Sequence, residues 1–463
     1  MSDEGLLALP NEILILVFHY TRDPFPIYLL STMCRRLHFL ALPIYLSRLG
    51  VCHDAESTEG CNISIAALLT SLFLNVAQSL SCALSTPKDV ARFTRLCRRF
   101  SRIEAAELRF NPPSHDYTGE SQAAYYTEVV KTLNVVLEKA CESLTVDIVL
   151  GASAPTISRI SRRNRLQARA PKRGPIPGLL TSSISLSPAA FRQRTLSTFK
   201  LHSDIVFSPH CLAWTIDVLN SFPLTVISID APTVQTSVLD ALLSVTEIPT
   251  LCDMSILNCR IRPSQMHLFL CRHPSITRLH LGNVIVPPMQ ERLPPDHLPQ
   301  LTTLSAAAAQ VAYLLHTLDR TVALREIRVL SHMTQLDLIF TDTSLRPVVS
   351  RLEPVSLSLV LPVLANLPRL PTSVGEHFGD DSALKLVTAL EFVFGDDNIA
   401  FNKLADYVSL TPWCAPFPGL RNVELVGFNS TYSVELAREA FQHHAPNIER
   451  LVIGDVEYPL DED

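Results

Sequence analysis

The chain has 463 residues, of which 47% are hydrophobic and 18% charged, with a formal net charge of −6 and a mean hydropathy of +0.21. This composition supports a large core and excludes a largely disordered chain, and the net charge argues against attraction of the whole protein to nucleic acid or to an anionic membrane. The eleven cysteines are scattered without a Cys-x-x-Cys pair, so we expect reduced thiols, no disulfide framework or metal ribbon, and a location in the cytoplasm or nucleus.

The N-terminal segment combines proline helix starts with a run of apolar residues. Residues 9–18 read Leu-Pro-Asn-Glu-Ile-Leu-Ile-Leu-Val-Phe, and residues 29–37 read Leu-Leu-Ser-Thr-Met-Cys-Arg-Arg-Leu. Pro10 predicts the start of one helix and Pro26 the start of a second, because proline at the first helical position loses no hydrogen bond. The first helix is apolar nearly all round and must be buried on more than one side. A module of about forty residues has too little core to achieve this alone, so we expect a partner surface.

These residues resemble the F-box, a three-helix module that binds the Skp-type adaptor of cullin-based ubiquitin ligases. The resemblance covers residues 6–49. It implies a non-catalytic subunit that selects the ligase substrate and reaches a cullin through the adaptor. It places the adaptor contacts at Leu9, Pro10, Ile13, Val17, Met33 and Cys34. The alternative interpretation is a helical hairpin that packs on the rest of its own chain.

Residues 60–87 contain no charged residue. A run of this length is long enough to span a bilayer. However, Asn62, Asn75 and Gln78 interrupt it, and polar amides inside a membrane are costly. We therefore predict a buried segment of the folded protein and no membrane association.

One short phrase, apolar-x-x-apolar-x-apolar, recurs through the remaining four-fifths of the chain. Twelve copies begin at Ile103, Cys141, Leu196, Leu224, Leu251, Ile276, Leu301, Leu324, Leu352, Val387, Leu420 and Ile448, and a weaker copy begins at Ala77. The starts from Leu196 to Leu352 lie 23 to 28 residues apart, within the period of roughly 20–29 residues that leucine-rich repeats have. Helical stretches between the phrases are predicted at 264–272, 306–318, 398–410 and 433–445.

A strand–helix unit of this size buries its apolar face only by stacking on its neighbours, which builds a parallel sheet. The predicted fold is therefore α/β, with an N-terminal three-helix F-box followed by a leucine-rich-repeat-like solenoid over residues 60–463. The resemblance to leucine-rich repeats implies a concave parallel sheet and outer helices.

Residues 151–178 interrupt this array with seven Lys or Arg residues and no acidic residue. We predict a mobile basic insertion there, with a nuclear-import signal or a patch for an acidic partner as alternatives.

The target surface is predicted from the alternation of side chains along a strand. The fourth and sixth residues of each phrase face the core, so the third and fifth face the opposite side. Arginine is among the residue types that dominate interface energetics. We therefore predict the target contacts, near the middle of the array, at Arg278, His280, Glu326 and Arg328.

No phosphate-binding loop, His-Glu-x-x-His motif or Gly-x-Ser-x-Gly elbow occurs in the sequence, so we predict no catalytic, cofactor or metal site. Cys252 and Cys259 flank one predicted strand and are expected to pack as small apolar residues. Two functions remain. The chain is a substrate receptor that joins a protein target to a Skp-type adaptor, or it is a non-catalytic leucine-rich-repeat interaction protein without a ligase role.

Overall fold

The computed structural model forms two compact units, Met1–Val234 and Gln235–Asp463. It describes residues 9–21, 23–48, 69, 76–111, 119–148, 185–282, 298–317, 324–331, 334–352, 355–363, 381–394, 404–427, 434–445, 447–453 and 456–460. The basic insertion at 151–178 lies outside the described residues and stays a prediction.

The first unit begins with three helices: α1 (Asn11–Tyr20), α2 (Pro24–Met33) and α3 (Arg35–Arg48). Pro10 is the cap residue of α1, and its carbonyl accepts a hydrogen bond from the Leu14 amide at 3.1 Å. The predicted start of this helix is therefore confirmed to within one residue. Proline at this place loses no helical hydrogen bond.

The predicted start of the second helix was wrong by two residues. Pro26 lies inside α2, which begins at Pro24. The carboxylate of Asp23 accepts a hydrogen bond from the Phe25 amide at 3.0 Å and so caps the helix earlier. An aspartate cap followed by proline at the first position outweighs the second proline as a start signal.

Parallel strands follow in the first unit, each paired with the next along the chain. The elements are β1 (Val76–Leu84), α4 (Pro87–Arg99), β2 (Arg102–Phe110), α5 (Gly119–Leu137), β3 (Ser143–Ile148), α6 (Pro188–Gln193), β4 (Thr198–Leu201), a 3₁₀ turn (Asp204–Phe207), α7 (Leu212–Ser221) and β5 (Val226–Asp230).

The second unit repeats this arrangement, and its last strand pair is antiparallel. The helices are α8 (Thr236–Val245), α9 (Pro263–Arg272), α10 (Ala308–Thr317), α11 (Gln335–Leu345), α12 (Val349–Leu352), α13 (Leu404–Val408) and α14 (Val434–His444). The strands are β6 (Asp253–Leu257), β7 (Arg278–Gly282), β8 (Thr303–Ala307), β9 (Glu326–Leu330), β10 (Ser356–Val363), β11 (Val387–Phe394), β12 (Asn422–Val426), β13 (Arg450–Ile453) and β14 (Val456–Pro459). Short 3₁₀ turns occupy Arg346–Val348, Ala383–Leu386 and Thr411–Trp413.

The strand register aligns the repeated phrases. Within each unit, except between β10 and β11, the third residue of one phrase lies opposite the third residue of the next, as Thr198 does opposite Val226 in the first unit and Arg278 opposite Thr303 in the second. The predicted α/β class with consecutive parallel strands is confirmed within each unit. One phrase was placed wrongly. Glu326 pairs with Ser356, so that copy starts two residues after the predicted Leu352.

The error has a physical cause in the packing of α12. Leu352 is the last residue of that helix and is fully buried, so an additional core leucine lies just before the strand.

The predicted helices at 264–272 and 433–445 are confirmed by α9 and α14. Helix α10 begins at Ala308 because the two preceding residues belong to β8, and residues 398–403 lie outside the described part of the chain.

Two further expectations had different outcomes at the cysteines of β6. Cys259 is buried as predicted, but Cys252 is exposed. Cys252 immediately precedes the strand. Its carbonyl accepts a hydrogen bond from the Arg278 amide at 3.0 Å, and its side chain faces outward.

Among the residues that the structure describes, no helix has the length and apolar character needed to cross a membrane. The uncharged stretch enters β1 at Val76.

Two neighbouring residues of β8 provide a test of the prediction that successive side chains lie on opposite faces of the sheet. Leu304 is fully buried and Thr303 is half-buried on the opposite side. Leu304→Ala should lower the free energy of unfolding by about 2–5 kcal/mol, because it leaves a cavity in the core. Thr303→Ala should change it by about 0.5 kcal/mol or less. Urea unfolding followed by circular dichroism measures both, and equal losses would contradict the assigned faces.

Candidate functional site

An apolar stripe is exposed along α1. It consists of Ile13, Leu16, Val17 and Tyr20, of which Tyr20 is 82% exposed. Their spacing of three and four residues places them on one face of the helix. Leu14 and Phe18, on the opposite side, are fully buried. The first helix therefore uses one face for the core of its module and leaves an equally apolar face open.

The other two helices also expose large apolar side chains. They are Phe25, Leu29 and Met33 on α2 and Phe39 on α3. Met33 is 71% exposed. We call these four residues and the α1 stripe together the N-terminal apolar surface. The module nevertheless has a core of its own, which contains Leu14, Phe18, Ile27, Leu37, Ala41, Leu42 and Tyr45.

The predicted adaptor contacts lie mostly at the surface of this module. Pro10, Ile13, Val17 and Met33 are exposed, and Leu9 and Cys34 are half-buried. The guanidinium of Arg36 on α3 donates to the Asn11 side chain at 2.9 Å and also to the carbonyl of Leu9. These bonds hold the start of α1 against α3.

Sequence reasoning missed five members of the N-terminal apolar surface: Leu16, Tyr20, Phe25, Leu29 and Phe39. Helical spacing groups Leu16 and Tyr20 with Ile13 in the sequence. It does not show which of two apolar faces is covered by the module's own core.

The second surface lies on the sheet of the second unit. We call the side that carries the third and fifth residues of each phrase the polar face. One row of paired residues across it contains Asp253, Arg278, Thr303, Glu326 and Ser356, and the next row contains Ser255, His280, Ser305, Arg328 and Ser358. The four predicted target contacts occupy these two rows, on β7 and β9.

The four residues are brought near each other but do not form one cluster. Strand β8 separates the two pairs, which puts about 10 Å between their backbones. Arg278 is exposed, and His280, Glu326 and Arg328 are half-buried. None of the four belongs to the core, as the alternation predicts.

Ion pairs organise the polar face. A nitrogen of Arg278 lies 2.9 Å from a carboxylate oxygen of Asp253. Arg328 donates to Glu326 at 2.7 Å and to Glu391 at 3.4 Å. Glu391 is nearly buried and was missed as a site residue, although it is the fifth residue of the phrase that begins at Val387.

Burial shifts the pKa values of two residues on the polar face, His280 and Glu391. Burial lowers the pKa of His280, the positive charge of Arg328 lowers it further, and Asp253 opposes both. Burial raises the pKa of Glu391; Arg328 opposes this shift, and the negative charges of Glu424 and Glu326 add to it. In the part of the chain that the structure describes, Arg328 thus interacts with three carboxylates, those of Glu326, Glu391 and Glu424.

A cavity of about 340 Å³ opens at the carboxyl ends of β8 to β11. The sheet contributes Ala307, Leu330, Val360, Pro362 and Val393, and the adjacent residues Ala308 and Ser331 also line it. Helix α11 contributes Asp337, Phe340 and Thr341. We call this feature the edge cavity.

A buried carboxylate positions α11 beside the edge cavity. Asp342 accepts hydrogen bonds from the Ser382 hydroxyl at 2.8 Å and from the Ala383 amide at 2.9 Å. It also forms an ion pair with Arg346 at 2.7 Å. These contacts join α11 to the segment that precedes β11, and they fix the wall that carries Phe340.

No protein-family model matches the chain, and no curated protein matches it either. The fold itself defines the class: an α/β protein whose units contain mostly parallel sheets built from consecutive strands. Within the described ranges, no group of three or more His, Cys, Asp and Glu side chains is placed to hold a metal ion.

The lowered pKa of His280 predicts a pH-dependent stability. The unfolded chain takes up this proton near the ordinary value of 6.5, whereas the folded protein takes it up only at lower pH. Stability should therefore fall as the pH drops below about 6.5, until the folded pKa is passed. His280→Gln should reduce this fall. Melting temperatures between about pH 7.5 and about pH 5 test it.

The matched control is Ser255→Ala, which changes a non-titrating residue in the same row of the polar face. This variant should keep the pH dependence of the wild-type protein. Identical profiles for His280→Gln and the wild type would show that the environment of His280 does not oppose its protonation.

Proposed function

We propose that this chain is the substrate-recognition subunit of a cullin-type ubiquitin ligase. In this proposal the three-helix module binds a Skp-type adaptor, and the strand–helix array binds a protein target. The observation that carries it is the N-terminal apolar surface, which is exposed on a module that already has a buried core. The subunit itself is non-catalytic, and it works in the cytoplasm or nucleus.

The distribution of exposed apolar residues supports a protein partner for the module. Eight of the fifteen large exposed hydrophobic side chains in the described part of the chain lie between Ile13 and Phe39. Concentrated apolar exposure of this kind marks interaction sites, because it is costly in water. Aromatic residues and methionine, which are enriched in protein interfaces, are present in Tyr20, Phe25, Met33 and Phe39.

The array supports the second half of the proposal. Its repeated phrases, which are in register within each unit except between β10 and β11, are consistent with degenerate leucine-rich repeats, and such arrays use their exposed sheet faces for binding. Arg278, His280, Glu326 and Arg328 remain our proposed target contacts, together with Glu391. The paired arginines supply directed charge, which favours specificity for a protein target.

Adaptor binding can be tested on α1 with matched substitutions. Ile13→Asp combined with Val17→Asp should abolish retention of a purified Skp-type adaptor by the full-length chain, because two carboxylates would be buried in an apolar interface. Both positions are exposed, so the fold should persist. The measurement is co-purification, with the melting temperature of each variant recorded beside it.

The control is Asn11→Asp combined with His19→Asp. These residues are exposed on the same helix, receive the same new side chain and lie outside the apolar stripe. Adaptor retention should survive in this variant. If the unmodified chain does not retain the adaptor, the ligase role fails and the chain is better described as an interaction protein.

A further inference from the structure

The edge cavity is an apolar concavity beside the polar face. Leu330, Val360 and Val393 line it from the sheet, and Phe340 lines it from α11. Phe340 is 60% exposed. A large aromatic side chain at the mouth of an apolar cavity offers a contact surface that water does not satisfy. This geometry suits the insertion of an apolar side chain.

The floor of the same cavity continues into a row of acidic side chains. Leu330 pairs with Val360, Val360 pairs with Glu391, and Glu391 pairs with Glu424. Each step moves one strand across the same face, so the carboxylates border the apolar lining directly. Asp337 places a further carboxylate on the α11 side.

The described charges around this floor do not balance. The single guanidinium of Arg328 interacts with the carboxylates of Glu326 and Glu391 and lies within electrostatic reach of Glu424. Three carboxylates therefore share one cation. Like charges on adjacent strands are unfavourable when they face each other, and a second cation supplied by a ligand would relieve this repulsion.

We propose that the edge cavity binds a short peptide segment of a protein target, in which one aliphatic or aromatic residue neighbours a lysine or arginine. The apolar side chain enters the cavity between Phe340 and Val360, and the basic side chain pairs with Glu391 and Glu424. This inference rests on the proposed function only in treating this face as the target surface. Peptide binding to the edge cavity does not depend on adaptor binding.

The dimensions favour a peptide as the occupant. A volume of about 340 Å³ lies at the low end of the range for ligand pockets, roughly 300–1,000 Å³. It accommodates a side chain and its immediate neighbours. The two carboxylates, Glu391 and Glu424, lie opposite each other on neighbouring strands, about 4.8 Å apart at the backbone, so one basic side chain can contact both.

The test presents a display library of random twelve-residue peptides to the full-length protein. The wild type should enrich peptides that combine an aliphatic or aromatic residue with a lysine or arginine within two positions. Glu391→Gln combined with Glu424→Gln should remove the basic preference and keep the apolar one. Phe340→Ala, or Ala307→Leu to fill the cavity, should remove the apolar preference and weaken the enriched peptide by roughly tenfold or more.

Two controls match these changes. Leu336→Ala alters a side chain of α11 that is 79% exposed and is not part of the cavity lining. Glu439→Gln removes a negative charge from the exposed surface of α14. Both controls should select the same peptides as the wild type. Phe340→Ala and Ala307→Leu change the cavity in opposite ways, so either one tests the site if the other lowers the melting temperature.

The outcomes separate this inference from the proposed ligase role. Lack of peptide enrichment, enrichment of acidic peptides, or an unchanged preference in the cavity variants would overturn the peptide site, whatever the adaptor result. Enrichment as described, in a chain that does not retain the adaptor, would support the peptide site and remove the ligase role.

Discussion

The in-phase pairing of parallel strands is the constraint on which the rest of the molecule depends. Each phrase supplies two apolar side chains two residues apart, and both must be buried together. A slip of one residue would turn the whole set to the other face of the sheet. The register observed within each unit prevents this, and it also fixes which polar side chains become neighbours on the opposite face.

The two candidate surfaces arise from different physical causes. The polar face follows from the sheet, because burying Leu279 and Leu281 leaves Arg278 and His280 on the other side. The N-terminal apolar surface follows from small size. A three-helix module can cover one face of α1, here with α3, but it has no further layer for a second face. The first surface carries mainly polar and charged side chains, and the second exposes mainly apolar area.

The sequence predicted the strands and their faces because the signal repeats many times with the same internal spacing. It predicted the placement of single phrases and the partners of single side chains less well. The phrase at Leu352 was misplaced because α12 puts a buried leucine just ahead of the strand. The Arg328–Glu391 pair depends on an irregularity between β10 and β11, where Leu357 pairs with Val387 but Ser358 pairs with Ala389. No periodicity encodes such a skipped residue.

The edge cavity was also beyond sequence reasoning, since it depends on contacts between distant residues. Helix α11 is held by hydrogen bonds that the Ser382 hydroxyl and the Ala383 amide, about forty residues away, donate to the Asp342 carboxylate. A hydrophobic pattern shows that Phe340 is apolar but not whether it faces the core or solvent. The N-terminal apolar surface was partly predicted because a helix that is apolar nearly all round, in a module of about forty residues, has more apolar area than its own core can cover.

The charges of the polar face are not in their most stable arrangement. Arg328 compensates Glu326 and Glu391, but burial raises the pKa of Glu391, and the negative charge of the adjacent Glu424 adds to this shift. This imbalance lowers the stability of the free protein, because burial and like charge both disfavour ionised Glu391. A basic group arriving from a ligand would offset the like-charge part of this penalty but not the part that comes from burial. Departures from local consistency of this kind are typical of functional sites.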